Sequence, residues 1–119
     1  MKKLMIAGSF LLVSLLGKAQ LDVNDLTGQI LEKLVPALNL TADQKPTVGD
    51  ALIDFLTKKS AILPLMKSDP ASYASKFNQL NGGFISKLKA VLLARQMTTY
   101  LSLKPKITDT TNPLVHLFY

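Results

Sequence analysis

The sequence predicts an all-α fold: a small bundle or hairpin of three to four helices behind a cleaved signal peptide, with an irregular apolar C-terminal tail. Three observations carry that expectation. Apolar residues recur at steps of three and four between Val23 and Leu101. Prolines and capping residues cut this pattern into helix-sized lengths. No alternating apolar and polar run meets a hairpin turn signal, as a sheet would require.

The first twenty residues, MKKLMIAGSFLLVSLLGKAQ, place two lysines before an apolar run from Leu4 to Gly17, with Gly17 and Ala19 at the spacing that signal peptidase reads. As a helix, that run spans only about 21 Å at ~1.5 Å per residue, short of a hydrocarbon core of ~30 Å. Residues 1–19 are therefore expected to be a signal peptide cut after Ala19, leaving no stable membrane anchor and a periplasmic or secreted product. No cysteine follows the run, so no lipid-modified N-terminus is expected.

The remaining 100 residues suffice for one domain, expected as a helical domain over 20–103 and a tail over 104–119. With Lys2, Lys3 and Lys18 removed, 14 basic residues become 11 against 8 acidic ones, a net charge of +3. The lysines alternate with Asp22, Asp25, Asp43, Asp50, Asp54 and Asp69 instead of clustering, so no nucleic-acid partner is expected. The chain contains no cysteine, so stability has to come from helix packing or from association, a homodimer included.

The first helix is predicted from about Asp22 to Val35, with Val23, Leu26, Ile30, Leu31 and Leu34 on one face, Asp22 or Asn24 as cap, and Pro36 as its stop. The second starts at Thr41, where Thr41 and Gln44 have the spacing of a capping box. Pro46 lies in its second turn, where the missing N–H costs one bond. Val48, Leu52, Phe55, Leu56, Ile62 and Leu63 form its apolar stripe, and Pro64 ends or kinks it. Asp69 and Pro70 read as N-cap and first residue of a third helix. Its stripe of Tyr73, Phe77, Leu80, Phe84, Leu88 and Val91 keeps phase through Asn81, Gly82 and Gly83, which favours one long helix. Near Leu92 the stripe rotates to Leu93, Met97, Tyr100 and Leu101, a bend into a last short helix before Pro105. The tail KPKITDTTNPLVHLFY has no helical period, but its apolar cluster has to fold back or meet a neighbour.

Catalytic signatures are missing. The single histidine, His116, supports neither a Ser-His-Asp triad nor a zinc site of the usual ligand types, so no enzyme activity, metal or cofactor is expected. Asp50, Asp54 and Lys58 read as a solvated face with an ordinary ion pair one turn apart. Gly82-Gly83 lacks the strand, the third glycine and the lysine of a phosphate loop. Asp109-Thr110-Thr111 looks like a short acceptor pattern for bacterial O-glycosylation.

The stretch Leu40-Thr41-Ala42-Asp43-Gln44 resembles the LTxxQ motif of the Spy/CpxP-like periplasmic proteins, and Leu92-Leu93-Ala94-Arg95-Gln96 stands where a second copy is expected, with Leu93 in the threonine position. That resemblance, carried by Leu40, Thr41, Gln44, Leu92 and Gln96, implies paired long helices that dimerise into a thin curved cradle and bind unfolded polypeptides or sense envelope stress. Two functional expectations stay open. One is a chaperone-like or stress-adaptor protein binding polypeptides on a surface of Lys58, Lys59, Phe77, Phe84, Lys87, Leu88, Lys89 and Arg95. The other is a structural or carrier protein whose apolar stripes enclose a lipid-like ligand or a fixed partner subunit. A thin open cradle favours the first, a closed bundle with a cavity the second.

Overall fold

The computed structural model describes residues 21–119; the expected signal segment, 1–19, lies outside the described residues. These residues form six helices and no strand: α1 (Val23–Leu38), α2 (Gln44–Ile62), α3 (Leu65–Ser68), α4 (Pro70–Val91), α5 (Ala94–Ser102) and α6 (Val115–Phe118). Four of them exceed two turns, in keeping with the expected number, while α3 and α6 have four residues each.

Asp22 starts α1, its carboxylate accepting the Asp25 N–H at 3.1 Å. The helix does not stop at Pro36, as the sequence suggested, but runs on to Leu38. Pro36 sits in the last turn, where its missing N–H frees only the carbonyl of exposed Glu32 to solvent. The helix closes at Asn39, whose left-handed backbone (φ 54°) is a common helix ending for asparagine.

Thr41 and Gln44 form both capping-box bonds: the Gln44 N–H donates to Thr41 Oγ1 at 3.1 Å, and the Thr41 N–H donates to Gln44 Oε1 at 3.0 Å. From there α2 buries Val48, Leu52, Phe55 and Leu56. Asp69 caps α4 by accepting the Ser72 N–H at 3.2 Å, with Pro70 as first helical residue. The helix passes Asn81, Gly82 and Gly83 unbroken and buries Tyr73, Phe77, Phe84 and Leu88. Extended backbone at Leu92 and Leu93 makes the expected bend into α5.

Helices α2 and α4 pack along their lengths, and α1 and α5 cover one side. Phe55 lies at the centre, edge-on to Phe77 (ring centroids 6.0 Å apart) and tilted against Phe84 (4.9 Å). Tyr100 extends this chain of rings, 6.3 Å from Phe84 and 5.3 Å from Phe118.

The tail folds back on its own domain and is more regular than expected. Asn112 accepts the Leu114 N–H at 3.0 Å, and Pro113 leads into α6, which carries Val115 and Leu117 into the interior with Leu114 just before it. Asn112-Pro113 makes a side-chain turn ahead of α6 and does not cap it, in a segment without enough length to show a period.

Candidate functional site

The two LTxxQ-like segments meet. Gln44 and Gln96 exchange side-chain amide hydrogen bonds, Gln44 Nε2 to Gln96 Oε1 at 2.8 Å and Gln96 Nε2 to Gln44 Oε1 at 3.0 Å. Each Oε1 also accepts its own cap N–H, from Thr41 at 3.0 Å and from Leu93 at 2.8 Å. Each second Nε2 hydrogen goes to a helix-ending carbonyl of the opposite unit, Gln44 to Val91 and Gln96 to Leu38, both at 3.1 Å. Every amide donor is therefore used, as a largely buried pair requires. Leu40 and Leu92 are both buried beside it, and Val48 and Tyr100, one turn beyond the glutamines, are fully buried. Leu93 supplies only its backbone N–H, and its side chain is exposed. The junction is thus structural in its bonding and offers no free polar group to a reactant.

The expected mixed binding surface is not one surface. Phe77, Phe84 and Leu88 are core side chains, and Lys59 is buried at 3% exposure, whereas Lys58, Lys87, Lys89 and Arg95 lie outside. Lys58 and Lys87 both pair with Asp54, at 3.2 and 2.7 Å, and Asp54 is held below its ordinary pKa by Lys87 first and Lys58 second. The helical stripe explains the mixture: positions 77, 84 and 88 face inward, while 87 and 89 fall outside the same turn.

Lys59 belongs to a different site. Leu52, Phe55 or Leu56, Lys59, and Ile62 or Leu63 follow one another at steps of three or four, which places the lysine on the buried face of α2. Its Nζ donates to the His116 carbonyl at 2.7 Å and lies 5.3 Å from the Phe77 ring centroid. Burial pushes its pKa down to about 8. Nearby, the Tyr73 hydroxyl donates to the main-chain oxygen of Tyr119 at 2.8 Å, and burial raises its pKa. His116 is half-buried, and burial and then the Lys59 charge hold its pKa below the usual imidazole value. These groups line a groove of about 270 Å³ between the end of α2, the start of α4 and the tail, with Leu63, Met66, Ile107 and Val115 as apolar walls.

Against protein-family models, curated proteins and solved structures, the chain finds no match.

Among the described residues no helix is long and apolar enough to cross a membrane, and no cluster of three or more His, Asp or Glu side chains could hold a metal ion. Asp109-Thr110-Thr111 lies in an exposed turn. The groove was the feature that sequence reasoning missed. Its one available signal was the helical phase of Lys59, which matches Leu52 and Phe55 and not Lys58.

Proposed function

We propose that the mature chain is an exported, non-catalytic carrier that holds a small lipid-like molecule in the groove beside its C-terminal tail. The observation that carries this reading is the closure of the aromatic stripe: Phe77 and Phe84 both pack on Phe55 inside the bundle instead of lining an open cradle. The remaining concavity beside the tail has apolar walls and few polar groups, the usual make-up of a small-molecule site. A single histidine and the lack of cysteine in the sequence support a binding role over a catalytic one.

The test is native mass spectrometry of the full chain after export, followed by titration of the delipidated protein with N-phenyl-1-naphthylamine and single-chain lipids. One apolar molecule bound per chain supports the carrier. No co-purifying molecule and no saturable binding overturns it.

One observation favours the polypeptide-binding alternative. The Gln44–Gln96 exchange supports reading Leu92-Gln96 as a second copy of the Leu40-Gln44 motif, because the two occupy equivalent places. Clients would then lie along the outer α2–α4 groove, past Thr47, Ala51, Lys87 and Ala90. Slowed aggregation of an unrelated unfolding protein at equimolar or lower ratio, without ATP, would put this reading first.

A further inference from the structure

We infer that the ligand of the tail groove carries a single carboxylate, and that the Lys59 ammonium is its counter-ion. This rests on the carrier reading and specifies the head group. Lys59 is almost completely buried, yet the ion pairs among the described residues are Lys58–Asp54 and Lys87–Asp54, and residues 1–20 contain no Asp or Glu that could reach it. An ammonium has three donors. One is used on the His116 carbonyl, and the Phe77 face provides a weak, undirected attraction. A buried cation with no carboxylate within 4 Å is the costly arrangement that proteins otherwise avoid by pairing.

The groove wall says where that charge would come from. Lys59 lines the concavity together with Met66 and Ile107, which are 50% and 62% exposed. They are two of the five large apolar residues left exposed on the described surface. A molecule with an anionic end at Lys59 and a hydrocarbon chain leaving past Met66 and Ile107 satisfies the ammonium and covers both side chains. One lysine matches one negative charge. Neighbouring His116 is held toward its neutral form by burial, so the groove lacks the several cationic donors that a phosphate group calls for.

The full mature chain, loaded with uncharged N-phenyl-1-naphthylamine, is titrated with dodecanoate, dodecanol, dodecyl phosphate and acetate. Dodecanoate is expected to displace the probe at concentrations about tenfold or more below dodecanol, as expected for a desolvated charge pair, and acetate not at all. Lys59→Met should abolish the preference for acid over alcohol. Met66→Glu, an exposed change at a groove-lining position, should weaken dodecanol through the lost apolar contact and weaken dodecanoate more, through the added like charge. Equal displacement by acid and alcohol in the wild type, or an unaltered preference in Lys59→Met, overturns the inference while leaving the carrier. Tighter displacement by dodecyl phosphate overturns the carboxylate assignment. Displacement by none of the chain-bearing probes sinks both. Should Lys59→Met fail to fold, the wild-type comparison and Met66→Glu decide.

Discussion

Gln44 and Gln96 lie 52 positions apart and bond to each other through both ends of their side-chain amides. Two helix starts are thereby joined by the same groups that cap them. Losing either glutamine leaves the other with unpaired polar atoms in a poorly solvated place, so the cost exceeds that of one lost bond. Gln44→Ala and Gln96→Ala should each lower stability by about 1 to 3 kcal/mol in urea unfolding, and the double variant should lose at least ~0.5 kcal/mol less than the sum. Strict additivity would mean that the two amides act independently.

Thr41 holds the outer side of the same junction through Oγ1. Thr41→Ala should cost about 0.5 to 2 kcal/mol, while exposed Thr47→Ala, further along α2, should stay within ~0.5 kcal/mol. Equal losses measured by thermal or urea unfolding would move the effective helix start past Pro46.

Lys59 gives stability a pH dependence of definite sign. Its folded pKa, about 8, lies below the unfolded value of 10.5, so between these limits the unfolded chain binds more protons and stability rises with pH. The rise is largely available from pH 8 to 9.5, before Tyr73 and Tyr100, whose pKa values are raised by burial, begin to act in the opposite sense. Urea midpoints should therefore increase over that window in the wild type and stay flat in Lys59→Met. At pH 7 that variant should be neutral or more stable by about 1 to 4 kcal/mol, because a buried uncompensated charge is replaced by a side chain of similar volume. A flat wild-type profile would show that the ammonium is solvated.

Tyr100 is fully buried, and its hydroxyl has no hydrogen-bond partner. Its ring does the packing, against Phe84 and Phe118. Tyr100→Phe should accordingly be neutral or stabilising by up to ~1.5 kcal/mol, whereas Tyr100→Ala should cost about 3 to 5 kcal/mol. A clear loss of stability in Tyr100→Phe would place a bound water on the hydroxyl.

Much of this architecture was legible because its signals are local. The Asp22, Thr41 and Asp69 caps each bond within three residues, and the stripe of α4 keeps one phase across Gly82 and Gly83. Asn39 and Pro36 were harder, since ending a helix three residues later depends on a left-handed residue that asparagine allows but does not demand. The sites were less legible still. Spacing put Gln96 three residues after Leu93, but no local rule says that its amide meets Gln44. The lysines near Phe84 suggested a basic apolar surface, and only helical phase, followed residue by residue, separates inward Lys59 from outward Lys58 and Lys87.

The tail's position also sets an order of assembly. The Lys59 ammonium waits for a carbonyl 57 positions downstream, and the Tyr73 hydroxyl for one 46 positions downstream, whereas α2 and α4 are joined by a short connection. Chain closure over the longer distances is slower and brings fewer contacts at first. The pair α2–α4 can therefore form with one side unfinished, and docking of Leu114, Val115 and Leu117 completes the interior as a late step. On the reverse path the same segment should leave first, so the amides of Val115–Tyr119 should exchange with solvent ahead of those around Phe55 in native-state hydrogen exchange.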